Sequence, residues 1–287
     1  MLELSNLRAE AERLARQLPD LSLQAAAADL VHPGAAGRKR SGAGEQFWQY
    51  RRYSQTDAAD QIDWRRSARG DEYFVRETEL ETARTVLFWC DPSAGFHWQS
   101  EEGLIDKSDR ARILLLTLGV LLSKTGERIG VLGGDRSPSL GRSAADRLAE
   151  DLLRPAIQDP KPYRSEALNV LASDFYDPLE DWQKRLARLS RKSSRGVLLA
   201  VSDPAEHAFP FKGRTRLRRP GAEKTRLFGR AEALRETYLE RFAAHREGLQ
   251  QLAAQMGWTL VTHRTDAPEL QAAAALQSAL TGLGART

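Results

Sequence analysis

After Thr85 the chain alternates between short apolar runs and longer stretches in which apolar residues recur at helical spacing. A short apolar run is typical of a buried strand, and apolar residues three and four apart are typical of a helix. The pattern predicts strands at 86–90, 129–132, 168–172, 197–201 and 258–262, and helices at about 108–123, 144–154, 179–191, 231–255 and 268–281. Because strands that alternate with helices form parallel sheets covered on both faces, the sequence predicts an α/β fold.

The first 84 residues follow a different pattern and form the predicted N-terminal segment. Residues 1–18 carry acids and arginines at helical spacing and predict an amphipathic helix, and a second short helix is expected at 25–30. Aromatic and charged residues between Phe47 and Glu81 predict two extended segments on either side of QIDWRRSARG. We expect this β extension to pack on the main domain, residues 85–287, as a hairpin or sheet extension.

A tract from 206 to 230 interrupts the alternation of strands and helices and predicts an inserted β-ribbon or loop. Its residues 212–226 are rich in lysine and arginine, the charges that contact phosphates or an acidic membrane surface. Because this part contains no aromatic residue, nucleic-acid bases would find no stacking platform. We expect a solvated loop, with docking onto an acidic partner as the next interpretation, and we do not expect nucleic acid as a ligand.

The composition and the lengths of the apolar runs limit which classes of protein this chain can belong to. The 287 residues are 41% hydrophobic and 29% charged, which is typical of a folded soluble chain and excludes global disorder. The longest apolar run, residues 113–122, is too short to cross a bilayer, and the N-terminus lacks the apolar core of a signal peptide. The only cysteine is Cys90, at the end of an apolar strand. We therefore expect a buried thiol, no membrane span and a cytoplasmic location.

Four of the predicted strands are followed by an aspartate, and a serine lies two residues after the first of them. These residues are Asp91, Ser93, Asp135, Asp174 and Asp203. The carboxyl ends of parallel strands share one edge of the sheet, where such folds bind ligands, and oxygen ligands suit Mg²⁺. The same residue types also cap helices. We favour capping or turn roles for Asp135 and Asp203, and both interpretations remain open for Asp91, Ser93 and Asp174.

The segment GAGEQFWQYRRYSQTDAADQIDWRRSARGDEYFVRETE, with the strand that ends in DPSAG, resembles the von Willebrand factor A-like proteins numbered 58 among the domains of unknown function. NVLASDFYDP, VSDPAEHAFPFKG and GWTLVTHRTD extend the resemblance over nearly the whole chain. It implies a von Willebrand factor A-like, Rossmann-like fold with a metal-ion-dependent adhesion site at the carboxyl edge. Asp91, Ser93 and Asp174 match that site as ligands of Mg²⁺ or Mn²⁺. The site is incomplete, because Gly95 stands where a second serine is expected and the threonine ligand is not identified.

Proteins of this family are commonly encoded beside MoxR-type AAA+ ATPases. The resemblance therefore implies a non-enzymatic, chaperone-like adaptor that binds such an ATPase and a client protein. The family motif is carried by a block of mixed charges in the N-terminal segment: Arg52, Asp63, Trp64, Arg65, Ser67, Arg69, Arg76 and Glu77. Since acids and arginines alternate there, we interpret the block as ion pairs that hold the β extension, ahead of a direct partner surface.

Two other functions stay open at this point. A metal-dependent nuclease also gathers carboxylates at a sheet edge and would explain the basic tract. However, a nuclease of this kind requires at least two metals held chiefly by carboxylates. After the first strand only Asp91 is a carboxylate, because Ser93 and Gly95 are not acidic. A metal-free scaffold would instead dock its partners on the arginine-rich block or on the basic tract. The sequence contains no GxSxG elbow, phosphate-binding GxxxxGK[ST] loop, HExxH pair or CxxC pair, so it indicates no enzyme class.

Overall fold

The structure of the protein is a computed structural model that describes residues 2–21, 23, 47–54, 62–68, 72–78, 83–154, 156–190, 195–218 and 225–284. The chain divides into two compact units, Met1–Ala27 with Arg84–Thr287, and Ala28–Ala83. The N-terminal helix α1 (Leu4–Ala15) belongs to the larger unit. The predicted segment 1–84 is therefore split between the two units. The short helix predicted at 25–30 lies outside the described residues.

The smaller unit contains the two extended segments that the sequence predicts. Strand β1 (Phe47–Arg52) pairs antiparallel with β2 (Phe74–Thr78), and the short helix α2 (Trp64–Ser67) lies between them in the chain. Ile62 adds an isolated antiparallel bridge to the buried Val75 of β2. The aromatic and charged pattern therefore did indicate strands. How the two units pack together stays a prediction.

The larger unit contains the predicted alternation of strands and helices, with small shifts at the element ends. In chain order these are β3 (Thr85–Cys90), α3 (Lys107–Lys124), β4 (Arg128–Val131), α4 (Arg142–Leu153), β5 (Leu168–Ser173), α5 (Leu179–Leu189), β6 (Arg195–Ser202), α6 (Pro204–Ala208), β7 (Thr215–Arg218), β8 (Thr225–Phe228), a 3₁₀ turn (Ala231–Leu234), α7 (Arg235–Gln255), β9 (Thr259–Arg264) and α8 (Glu269–Gly284). The predicted α/β fold is confirmed, since five of these strands form one parallel sheet in the order β4-β3-β5-β6-β9.

Side chains on the two faces of β3 lie in different cores. Val86 and Phe88 pack in the cluster that contains the apolar residues of α1, α3, α4 and α8. Leu87 and Trp89 pack in a second cluster with residues of α5 and α7. Successive strand residues point to opposite faces, so a central strand covered on both sides must be apolar throughout. The continuous run VLFWC therefore reflects a sheet with helices on both faces.

The predicted insertion folds as a ribbon. Strands β7 and β8 pair antiparallel, with Thr215 opposite Phe228, and the basic side chains of Lys212, Arg214 and Arg226 are exposed. This agrees with the predicted β-ribbon whose charges are solvated. In the described part of the chain, no helix is both long enough and apolar enough to span a membrane.

The strand order defines where the sheet offers a crevice. From β3 the chain moves to one neighbour, β4, and then crosses to the other neighbour, β5. At such a switch point the connections at the carboxyl edge run in opposite directions and leave a crevice between the two strands. In this protein the switch point lies between β3 and β5, the strands that precede Asp91 and Asp174.

Candidate functional site

The predicted metal ligands lie at the carboxyl edge of two neighbouring strands. Cys90 of β3 is in register with Ala172 of β5, so that Asp91, Ser93 and Asp174 all follow strand ends at the switch point. The local sequence explains this position, because each polar residue comes directly after an apolar strand that the cores hold in place. The topology thus brings the predicted residues to the same edge.

Asp91 is buried, with 6% of its surface exposed, and both of its carboxylate oxygens are hydrogen-bonded within the protein. Oδ1 accepts a hydrogen bond from the backbone N–H of Ser93 at 2.7 Å, and Oδ2 accepts one from the hydroxyl of Ser173 at 2.5 Å. Its own backbone N–H extends the β3–β5 ladder to the carbonyl of Ala172. Asp91 therefore holds the turn after β3 against the end of β5.

Asp174 contacts a buried lysine. Lys107, the first residue of α3, is 1% exposed, and its Nζ lies 2.9 Å from Oδ2 of Asp174 and 2.8 Å from Oε1 of Glu206. The rings of Trp98 and Tyr176 flank the same ammonium group, with their centroids 5.7 and 5.2 Å from Nζ. A buried charge is tolerated only when it is paired, and this one has two carboxylates and two aromatic faces. We call Lys107, Asp174, Glu206 and Tyr176 the lysine cluster.

Electrostatics keep the lysine charged. Burial by itself lowers the pKa of Lys107, but the attraction of Asp174 and Glu206 outweighs it and raises the pKa above the ordinary value. Desolvation, followed by the charge of Glu206, also raises the pKa of Tyr176, so its hydroxyl stays protonated and donates a hydrogen bond to Glu206. Burial also raises the pKa of Glu206, and the charge of Lys107 opposes this shift.

The residues at this edge do not fit a divalent cation. The oxygens of Asp91 face hydrogen-bond donors, and the ammonium of Lys107 lies against the Asp174 oxygen that an ion would need. Gly95 supplies no hydroxyl. Across the ranges that the structure describes, no group of three or more His, Cys, Asp or Glu side chains is arranged to hold a metal. Binding of Mg²⁺ or Mn²⁺ at Asp91, Ser93 and Asp174 stays a prediction, which requires these side chains to rearrange.

Asp203 and Asp135 differ in role. Asp203 is fully buried and caps α6: its Oδ1 accepts a hydrogen bond from the N–H of Ala205, and Glu206 bonds back to the N–H of Asp203. Its other oxygen accepts a bond from the N–H of Ser100. The predicted capping role of Asp203 is confirmed. Asp135 is exposed in the loop after β4, which agrees with a turn residue.

Sequence reasoning missed Lys107, Glu206 and Tyr176. A partial signal for Glu206 exists, because DPAE places an acid three residues after a capping aspartate, the pattern of a capping box. For Lys107 the signal is weaker. A cation in the first turn of a helix opposes the helix dipole, so a lysine there requires a negative partner. Neither signal identifies Asp174 as that partner.

The arginine-rich block lies in the smaller unit. Arg52 forms an ion pair with Glu72 at 2.9 Å, which agrees with the predicted structural role of that arginine. Asp63 caps α2 through the N–H of Arg66. The buried Ser67 donates its hydroxyl hydrogen to the carbonyl of Asp63 and accepts a bond from the N–H of Phe74.

Among the other residues of the block, two are exposed and three have side chains outside the described part of the structure. Trp64 is 61% exposed and makes an edge contact with Tyr73, and Arg65 is exposed beside it. Arg69 lies outside the described residues. Arg76 and Glu77 are in β2, but their side chains are outside the description. The ion pairs predicted for these last three residues stay a prediction.

Comparison with known proteins gives one match. A family model described as "Protein of unknown function DUF58" matches residues 49–248, a stretch that begins in β1 and ends in α7. Searches of the curated proteins and of the solved structures found no match. The matched stretch covers most of the chain and includes β3, β5 and β6 with the carboxylates that follow them. The chain therefore belongs to the DUF58 family.

Proposed function

We propose that the protein is a non-enzymatic binding protein, a cytoplasmic adaptor for a MoxR-type AAA+ ATPase, with a von Willebrand factor A-like fold. One observation supports a binding role above others: the carboxylates that follow β3, β5 and β6 at the carboxyl edge of the sheet are committed to partners inside the protein. Asp91 binds Ser93 and Ser173, Asp174 binds Lys107, and Asp203 binds Ala205 and Ser100. These internal contacts hold the loops at the edge in place, which suits recognition.

The same observation speaks against hydrolysis. A metal-dependent nuclease needs carboxylate oxygens that hold ions and a base that takes a proton from water. The oxygens of Asp91 are buried and already accept hydrogen bonds, and the ammonium of Lys107 repels any cation near Asp174. In this proposal the buried Lys107 balances, from within the chain, carboxylate charge that an ion balances in an adhesion-type site. Partner recognition then does not depend on divalent metal.

The identity of the partner is proposed from the family. Its members are commonly encoded beside MoxR-type ATPases, and an adaptor needs one surface for the ATPase and another for a client protein. The exposed residues Trp64 and Arg65 in the smaller unit offer a surface for the first contact. Trp and Arg are the side chains most often found at energetically dominant contacts between proteins.

An affinity purification tests the proposal. The tagged protein is purified from cells of its own source with ATP present, and co-purifying proteins are identified by mass spectrometry. We expect a MoxR-type AAA+ ATPase, and we expect less of it with the double variant Trp64→Ala/Arg65→Ala than with Lys212→Ala in the basic ribbon. Repeated recovery of no AAA+ ATPase with the unaltered protein rejects the adaptor proposal.

A nuclease assay tests the main rival. Single-stranded and double-stranded substrates are incubated with the purified protein in Mg²⁺ or Mn²⁺, alongside Asp91→Ala. We expect no cleavage by either protein. Cleavage by the unaltered protein that disappears in Asp91→Ala would reverse the conclusion in favour of a nuclease.

A further inference from the structure

A cavity of about 510 Å³ lies beside the lysine cluster, entirely within the larger unit. It is lined by the carboxyl-terminal half of β6, by Leu260 and Thr262 of β9, and by residues of α7. Asp174 and Tyr176, which follow β5, are also among its lining residues, so the cavity adjoins the lysine cluster. This volume is typical of sites that bind small ligands or a few side chains of a partner. We call it the α7 groove.

Aromatic rings line one wall of the α7 groove. The ring centroid of Phe242 in α7 lies 4.9 Å from that of His207 and 6.1 Å from that of Tyr176, which also line the groove. Tyr238, outside the lining, stacks on Phe242 with a centroid distance of 5.9 Å. Aliphatic side chains, among them Leu260 of β9, also line the groove. Burying an apolar side chain against this aromatic and aliphatic lining would be favourable, since both surfaces are released from water.

Arg246 supplies a positive charge in this groove. Its Nη1 donates a hydrogen bond to Nδ1 of His207 at 3.4 Å, and its guanidinium lies over the ring of Phe242 at 5.7 Å. Within the described ranges it forms no ion pair with a carboxylate. The guanidinium is thus held in place by two neighbours that leave its charge unneutralised.

The histidine beside Arg246 is neutral. Ser202 donates its hydroxyl hydrogen to the carbonyl of His263, which leaves its oxygen to accept a bond from Nε2–H of His207 at 2.8 Å. Nδ1 then accepts the bond from Arg246. Burial, and after it the charge of Arg246, lowers the pKa of His207 and keeps this form at neutral pH. His207 therefore orients Arg246 without compensating its charge.

The two carboxylates that line the groove do not neutralise Arg246 either. Asp174 is bound to Lys107, and the exposed Glu247 accepts a hydrogen bond from Gln251 of the same helix. An oriented guanidinium binds a carboxylate through two parallel hydrogen bonds at little cost in conformational entropy. The Arg246 guanidinium is therefore suited to bind an anionic group of a ligand.

We propose that the α7 groove binds an acidic segment of a partner protein, in which a carboxylate bonds to Arg246 and a neighbouring aromatic or aliphatic side chain packs against Phe242 and Leu260. This deepens the proposed function, on which it rests, by assigning a site and a chemistry to client recognition. Charge complementarity selects the acid, and the aromatic wall selects the apolar neighbour. Phe175 supports a preformed groove, because its left-handed backbone (φ +56°) is held by a hydrogen bond from His245 to its carbonyl.

The test uses two blocked dipeptides that differ only in charge, acetyl-Phe-Glu-amide and acetyl-Phe-Gln-amide. Each is titrated into protein with labelled Leu and Val methyl groups, and the shifts of Leu239 and Leu260, which line the groove, are followed by NMR. We expect the acidic dipeptide to bind about tenfold more tightly, since a hydrogen bond to a charged group is worth about 1.5–3 kcal/mol. Arg246→Gln should abolish this preference, and Arg241→Gln, on the same helix but outside the groove lining, should keep it.

Specific outcomes overturn the proposal. Equal binding of the two dipeptides, a preference that persists in Arg246→Gln, or no shift at Leu239 and Leu260 would each reject it. Binding of phenylpropionate without binding of either dipeptide would show a small organic acid as the occupant and would also reject it. The titration needs no ATPase, so the two proposals can fail separately. If the acidic dipeptide binds but the affinity purification recovers no ATPase, only the adaptor proposal is rejected. If the dipeptide does not bind but the ATPase is recovered, only the proposed peptide site in the α7 groove is rejected.

Discussion

Replacement of Lys107 by methionine should destabilise the larger unit strongly. Methionine keeps the length of the apolar stem but removes the ammonium that lies within 2.9 Å of both Asp174 and Glu206. The lysine side chain is 1% exposed and each carboxylate side chain 10%, so water cannot replace the lost partner. Breaking a buried ion pair costs about 3–5 kcal/mol, and here two carboxylates lose their partner. We therefore expect the free energy of unfolding to fall by about 4 kcal/mol.

Urea denaturation at pH 7, followed by circular dichroism, measures this loss. Lys124→Met provides a matched control, because Lys124 is exposed at the other end of the same helix, and it should change stability by less than about 0.5 kcal/mol. The triple variant Lys107→Met, Asp174→Asn, Glu206→Gln removes every charge of the lysine cluster. It should regain most of the lost stability, since neutral groups are far cheaper to bury than unpaired charges.

Two results would refute this reasoning. One is a loss in Lys107→Met no larger than in Lys124→Met, which would mean that the ammonium is not energetically coupled to its neighbours. The other is a triple variant as unstable as Lys107→Met, which would assign the loss to packing. The pH dependence adds a check, because the raised pKa of Lys107 means that its stabilisation is complete below about pH 10 and is lost as pH rises through the folded-state value.

Three further predictions follow from buried groups. Burial lowers the pKa of His263 from 6.5 to about 4. Below pH 6.5 the unfolded chain binds a proton that the folded chain does not, so the free energy of unfolding should fall by about 3 kcal/mol between pH 6.5 and 4. His263→Leu should show a smaller loss over that range in denaturation curves. Gly196→Ala should lower the free energy of unfolding by about 3 kcal/mol in the same measurement, because the new Cβ would collide with the carbonyl of Asn169. Gly103→Ala is the control: the space around Gly103 is open, so this change should be nearly neutral. Burial raises the pKa of Cys90 to about 12, so a thiol reagent should label it only in denaturant, and rapid labelling of the folded protein would contradict this.

A titration calorimeter tests the predicted metal site directly. With Mg²⁺ or Mn²⁺ we expect no heat of binding, because Asp91 and Asp174 are engaged with Ser173 and Lys107. A saturable heat that vanishes in Asp174→Asn would show that the edge rearranges to accept an ion. That result would restore the adhesion-type site that the family resemblance implies.

The sheet and its helices could be predicted from sequence because they depend on local patterns. The continuous apolar runs of β3 and β5 indicate strands covered on both faces, and the apolar α3 indicates a buried helix. The position of Asp91 and Asp174 at one edge follows from the same information, since parallel strands end together. The capping role of Asp203 is local as well.

Only the tertiary structure decided what those carboxylates contact. Lys107 lies 67 residues from Asp174 and 99 from Glu206 along the chain, and in sequence it is one charged residue among many at a helix start. Whether a lysine at that position extends into water or towards two carboxylates depends on how α3, β5 and α6 converge. The same holds for Arg246 and His207, which belong to different helices. Charge pairing acts between side chains brought close by folding, over distances along the chain that no local pattern of polar and apolar residues encodes.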